Sequence, residues 1–405
     1  MSGRGELVTF VSPLEGVRSA LAGDYAAIGS GGAEIAIRDQ LDKLVCRVSV
    51  AAVAGESFWL TLAPLRGYEE DAGRIRQQLL AAGFISEEDW KNPHVKMSAD
   101  ERADVATARV LLRLQQIQDA NLPGVLADAD VEFLHDYRVA IRRTRAVLRE
   151  MKGVFDPDEL RRVRAEFKWL QDQTSATRDL DVYLHEFDEL RALAPAGAHA
   201  DLEPIEPLLR QRQRLARREM EQALTSTRAQ ALRTEWLEIL QQLVLADQDI
   251  RADSARPIAE PAARRIRRVH GKMVSMGRAI GAGGSESPPG DYHELRKKGK
   301  ELRYLLELFG TPLFDPEVVR PLVKALKGLQ DVLGLHQDRE VQIEMLRELA
   351  QELVARPGGP RALMAIGTLV DRLEADAAQA RGQFAASFAE FASEAQCKLV
   401  ARAFS

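Results

Sequence analysis

FLHDYRVAIRRTRAVLRE, residues 133–150, sets a pattern that YHELRKKGKELRYLLEL, residues 292–308, repeats. His135, Arg138, Arg142 and Arg145 recur as His293, Arg296, Lys300 and Arg303, with steps of three, seven and ten residues from the histidine in both copies. A helix turns about 100° per residue, so such steps place side chains on one face. Arg149 and Lys152 extend the first cationic ridge; Tyr137, Ala140, Ile141, Val147, Leu148 and Met151 fall on the opposite side as an apolar keel. In the second copy Lys297 and Tyr304 join the ridge, and Leu295, Leu302, Leu305, Leu306 and Phe309 form the keel. Glu307 stands where the first copy has Arg149, which weakens the far end of the second ridge.

The repeat continues downstream. KWLQD at Lys168 matches KGLQD at Lys327, and RDLDV at Arg178 is echoed by QDREV at Gln337. The offset holds at 158 to 159 residues, so the chain carries two related helical halves, expected over 101–250 and 256–405. The segments following the ridges add Arg161, Arg164 and Lys168 in the first half and Arg320, Lys324 and Lys327 in the second, each stacked at steps of three and four. From about residue 99 onward the pattern is almost wholly helical. Predicted helices include 131–153, 157–172, 177–192, 260–280, 291–310, 315–333, 337–355, 360–378 and 380–402. ADSARPIAEP, 252–261, reads as a linker and GAGGSESPPGD, 281–291, as a loose connection. Residues 1–97 differ: AEIAIRD, LVCRVSVAAVA and SFWLTLAPL read as strands, and YEEDAGRIRQQLLAAGF as a helix ending near Gly83. The expected fold is mainly α, preceded by a small α+β region.

Composition narrows the function. The 405 residues carry 56 Lys and Arg against 61 Asp and Glu, a formal net charge of −5. Binding of nucleic acid through bulk positive charge is therefore not expected, and any anion site must come from local clustering. Two distant cysteines, Cys46 and Cys397, offer no CxxC pair, which fits a reducing cytosol. The N-terminal residues lack a basic stretch followed by an apolar core, so no secretory signal is expected. No apolar run reaches the roughly 20 residues a membrane span needs.

A charged helix face is ordinarily a solvated one, but such faces mix signs at i, i+4. These ridges are nearly of one sign and occur twice, an arrangement that costs stability unless an anion fills it. Arg forks and Lys ammonium groups match phosphate oxygens, and a long cationic row suits a ligand with many regularly spaced charges. Aromatics are only 6% and do not interleave with the rows, so base stacking has no platform. A linear phosphate polymer without bases fits better than nucleic acid. His135 and His293, two of seven histidines, could cap or pack, bind metal, or hydrogen-bond phosphate. Their cationic surroundings repel a metal ion and HExxH is absent, so phosphate is preferred and no metal or cofactor is expected. Asp179, Asp181 and Asp338 read as helix-start residues orienting Arg178 rather than as an acid–base set.

HDYRVAIRRTRAVLR, FKWLQDQTSATRDLDV, HELRKKGKELRYLLE and LKGLQDVLGLHQDRE resemble the four main motifs of the CHAD (conserved histidine α-helical) domain, in order, over residues 101–405. The resemblance implies two four-helix bundles related by pseudo-twofold symmetry around a basic central pore. It also implies binding of inorganic polyphosphate at cytoplasmic polyphosphate granules. Its functional positions fall on His135, Arg138, Arg142, Arg145, Lys168 and Arg178, and on His293, Arg296, Lys297, Lys300, Arg303, Lys324 and Lys327; Gln337 stands where the family has Arg. Arg149, Arg161 and Arg164 complete the expected polyphosphate-binding set. FWLTLAPLRGYEEDAGRIRQQL resembles the junction after a CYTH domain, a triphosphate-processing tunnel. Too few residues precede it for a tunnel, and EIAIR lacks the second glutamate of ExExK, so the resemblance implies a shortened remnant without catalysis. The expected role is binding without turnover; the alternatives are a metal-dependent triphosphatase or polyphosphatase, and a granule scaffold recruiting partners. A GxxxxGK loop is absent.

Overall fold

The computed structural model describes residues 5–9, 13–21, 25–28, 34–53, 57–82, 85–86, 91–245, 251–283 and 287–404. The chain divides into two compact units, 1–93 with 116–137, and 94–115 with 138–405.

In the first unit, β1 (Gly5–Thr9), β2 (Ala26–Ile28), β3 (Glu34–Arg38), β4 (Leu44–Val53), β5 (Ser57–Pro64) and β6 (Ile85–Ser86) form one antiparallel sheet in the order β2-β3-β4-β5-β1-β6. The three strands expected from alternation are β3, β4 and β5; β1 is not anticipated, and β2 and β6, with three and two residues, carry too few for a period to register. Val45 and Val48 of β4 and Leu60 and Leu62 of β5 pack with Val17 of α1 (Pro13–Ala20) and Ile75 and Leu79 of α2 (Glu69–Ala81). The predicted end of α2 near Gly83 lies outside the described residues. Two helices are shared with the second unit. α3 (Ala103–Leu126) contributes 116–126, and α4 (Val131–Glu150) contributes its first two turns, including half-buried His135.

The second unit is helical. α5 (Pro157–Gln173) starts on an Asp156 cap whose carboxylate accepts from the Asp158 and Glu159 amides, with Pro157 at the first helical position. α6 (Ser175–His185), α7 (Phe187–Ala192), α8 (Ile205–Thr225) and α9 (Thr227–Leu245) follow. Next come α10 (Ala259–Gly283), α11 (Pro289–Leu305, continuing through a π turn at Leu306–Gly310), α12 (Pro316–Leu353), α13 (Gly359–Phe391) and α14 (Glu394–Ala403). One core joins elements far apart in sequence: Phe187, Leu190, Ile205 and Leu209 pack with Ile343, Leu346, Leu349, Leu353, Ile366, Leu369 and Leu373.

Three expectations are corrected. The break predicted between 333 and 337 does not exist, because α12 runs unbroken through Gly334 for 38 residues. A helix-interior glycine costs about 1 kcal/mol, while Leu329, Leu333, Ile343 and Leu346 are all buried along that helix, each worth about 1.5–3 kcal/mol. The break predicted near 379 is likewise absent, since α13 continues to Phe391 with Ala377, Ala380 and Phe384 buried. The segment read as a linker at 252–261 is instead tied down. Ser254 and Ile258 are fully buried, the Ala103 and Asp104 amides donate to Arg256 and Ser254 carbonyls, and the Asp253 amide donates to Gly153. Arg251 and Arg102 both pair with buried Asp104.

Candidate functional site

The keel residues predicted for α4, from Tyr137 to Met151, are all buried, and so are Leu295, Leu302, Leu305, Leu306 and Phe309 of the second copy. Burial of the keels turns the basic faces of α4 and α11 outward from the core. Two ridge residues are exceptions: Arg138 is buried, and so is Tyr304, placed by periodicity on the second ridge, its hydroxyl without a hydrogen-bond partner among the described residues. α11 packs on both α10 and α12, so more than one of its faces is covered, which a single-stripe reading does not anticipate.

Arg145 and Arg149 of α4 and Arg161, Arg164 and Lys168 of α5 line one pocket of about 440 Å³, with Pro157, Leu160 and Ala165 as its apolar wall. Five cations and no carboxylate line it. Near its rim, Arg161 pairs with Asp158 at 2.9 Å and Lys168 with Asp172 at 2.6 Å, all on exposed side chains. Exposed pairs of this kind are worth about 0–1 kcal/mol and are screened by salt, so a multiply charged anion can displace them. Arg149 is held more firmly, by Glu150 at 3.1 Å and by Glu301 of α11 at 3.0 Å. Arg145 has its pKa pushed down, first by burial and then by Arg149 and Arg164, with Asp172 opposing.

A second cluster lies further back along α4. Arg138 is buried and donates from Nη1 to the Gln171 carbonyl at 3.1 Å, Thr174 Oγ1 at 2.6 Å and Ser175 Oγ at 3.2 Å. Those acceptors exist because α5 ends there: Thr174 and Ser175 bond back to the Gln171 carbonyl and break the helix. Arg138 therefore acts as a strut between α4 and the α5–α6 junction, with its pKa drawn down to about 10 by burial. Arg142 keeps a buried Nε with no hydrogen-bond partner among the described residues. Desolvation raises the pKa of Asp179, while the charges of Arg138, Arg178 and Arg142 favour its ionised form. Asp181 is buried and accepts from Gln213 at 3.0 Å, and among the described residues no group of three His, Cys, Asp or Glu is placed to hold a metal ion.

The second half contributes Lys300. Its pKa falls to about 8, first by burial and then by the charges of Arg296, Arg142 and Arg303, with Asp338 opposing. The field of Arg142 at Lys300 joins the two sequence ridges electrostatically. Arg143 paired with Glu307, and Arg149 paired with Glu301, fasten α4 to α11 beside them. Arg296 pairs with Asp338 at 3.2 Å, and His293 Nδ1 hydrogen-bonds the amide oxygen of Gln337. The residue standing in place of the family arginine thus holds the histidine. Lys297 is exposed and paired with Glu294, Arg303 lies over the Tyr304 ring at 5.4 Å, and Lys324 and Lys327 are exposed on α12.

Sequence reasoning missed Arg143, Glu301 and Glu307 as clamps between α4 and α11. The charge reversal at Glu307 relative to Arg149 was the available signal.

This architecture defines a mainly helical class with a small antiparallel sheet ahead of it in the chain. A CHAD domain model matches residues 108–347, and the chain belongs to the CHAD family. A CHAD domain from the plant Ricinus communis shares the fold with a TM-score of 0.58 at 24% identity, covering 73% of this chain and 94% of that one. PptA from Streptomyces chartreusis does so with a TM-score of 0.54 at 19% identity, covering 71% and 99%. No curated protein sequence matches the chain. Among the described residues no helix is long and apolar enough to cross a membrane.

Proposed function

We propose that this CHAD protein binds inorganic polyphosphate, without turning it over, and that it does so at polyphosphate granules in the cytoplasm. The observation that carries the reading is the pocket lined by Arg145, Arg149, Arg161, Arg164 and Lys168 with no carboxylate on its wall. Burial of Arg142 Nε without a partner and the depressed pKa of Lys300 add to it. An added anion would give the Arg142 donor an acceptor and relieve the disfavoured charge of Lys300. A single phosphate neutralises too little of this cluster; a chain of linked phosphates presents one charge after another along it. The N-terminal sheet is read as a shortened CYTH-like remnant, with Glu34, Ala36 and Arg38 on β3 where a full ExExK would stand.

Titration with long-chain polyphosphate tests the reading, comparing wild type with Arg142→Glu plus Lys300→Glu. Loss of about a hundredfold in affinity is expected for two reversed charges facing a polyanion, with affinity falling steeply as salt is added. Equal binding by the double variant removes Arg142 and Lys300 from the proposed site. Incubation with tripolyphosphate and Mg²⁺ or Mn²⁺ should release no phosphate; robust release makes the protein an enzyme.

A further inference from the structure

A second strongly basic surface lies outside this cluster, on α10. That helix carries Arg264, Arg265, Arg267, Arg268, Lys272 and Arg278 and a single acid, Glu260, in a chain whose net charge is −5. The acids at its start are already engaged: Asp253 pairs with Arg264 and Arg256, and Glu260 with Arg256 at 3.0 Å. Beyond them Arg267, Arg268, Gly271, Lys272, Ser275 and Arg278 are all exposed. On a helical wheel these six fall within a sector of about 140°, and Arg267 to Arg278 spans about 16 Å of axis. Among the described residues no carboxylate forms an ion pair with Arg267, Arg268, Lys272 or Arg278. The opposite face is committed to the core through Ile266, Val269, Met273, Val274 and Ile280.

We infer that the exposed face of α10 is a second polyanion-binding surface, which engages an extended stretch of a phosphate polymer whose other residues occupy the α4–α5 pocket. The inference rests on the polyphosphate reading and deepens it. The chemistry selects this occupant. The apolar side of α10 is buried, so the helix has nothing to insert into a lipid bilayer. Its exposed face has no aromatic ring on which a base could stack. What remains is a band of guanidinium and ammonium groups with a bare backbone at Gly271 between them, which suits a flexible chain of charges. Two surfaces on one protein raise the affinity for a chain long enough to reach both, through effective concentration, and leave short chains unaffected.

The experiment compares short-chain and long-chain polyphosphate by calorimetry on three full-length proteins: wild type, Arg267→Gln/Arg268→Gln/Lys272→Gln/Arg278→Gln, and Arg145→Glu/Arg164→Glu. The α10 variant should bind short chains as wild type does and lose about tenfold in long-chain affinity, four modest exposed contacts being removed. Its salt dependence for long chains should be shallower. The pocket variant should lose both ligands. An α10 variant equal to wild type on long chains, beside a pocket variant that loses both, overturns the second surface and leaves the polyphosphate reading standing. Wild type that binds neither chain overturns both. A loss by the α10 variant seen only with duplex DNA or with phosphatidylserine vesicles assigns that face to another partner and overturns the inference. Circular dichroism melts, and an Arg267→Lys/Arg268→Lys/Arg278→Lys variant that retains long-chain binding, separate lost charge from lost fold.

Discussion

Replacing Lys300 by Met should stabilise the free protein and impair the liganded one. Lys300 is half-buried on α11, and its pKa drops from the usual 10.5 to about 8 because burial, Arg296, Arg142 and Arg303 all disfavour its charge. At about 1.4 kcal/mol per tenfold, that drop corresponds to a penalty of about 3 kcal/mol on the charged form. The pH dependence follows from proton binding. Below about 8 both folded and unfolded chains hold the proton and the penalty is fully present. Between about 8 and 10.5 the unfolded chain binds more protons than the folded one, so stability rises with pH across that window. Met keeps the volume and removes the charge, so it should raise stability at pH 7 by up to about 3 kcal/mol and abolish this contribution to the rise above pH 8. Urea denaturation at pH 7 and at pH 9.5, in low salt, measures both. Polyphosphate should restore the proton to Lys300, so binding at pH 8 takes up a fraction of a proton, seen as a buffer-dependent calorimetric enthalpy. A Met variant that is less stable at pH 7, with an unchanged pH profile, refutes the account of a strained cation awaiting an anion.

Other expectations concern the supports. Thr174→Val deletes the closest acceptor of buried Arg138 and should cost about 1.5–3 kcal/mol in urea midpoint stability; a change under about 0.5 kcal/mol removes the strut. His270 is buried on α10 against Phe391, with its pKa pushed down to about 4 by burial. The unfolded chain therefore takes up a proton first as pH falls, and stability should drop between pH 6.5 and about 4. His270→Leu should lessen that drop in a melting series across pH; an identical acid profile argues against a neutral core histidine. Gly277→Ala sets a Cβ into the Phe388 ring, closer than van der Waals contact allows, and should cost about 1–3 kcal/mol in thermal denaturation.

Periodicity was enough to fix the apolar keels of α4 and α11, because a helix in contact with a core must bury one stripe whatever lies beyond it. Charge of one sign marked Arg145, Arg149, Arg161, Arg164 and Lys168, which line one pocket. Other outcomes depended on partners distant in sequence. Gly334 stays helical because α12 gains burial along its length. Residues 252–261 are no linker because the start of α3 supplies their hydrogen bonds. Tyr304 is buried because α11 is covered on two sides. The ridges themselves divided by the same rule: Arg138 became a buried strut where α5 happens to break, and Arg149 met Glu301 across α11. Local sequence states which face a side chain takes on its own helix; what stands opposite that face is a property of the assembled chain.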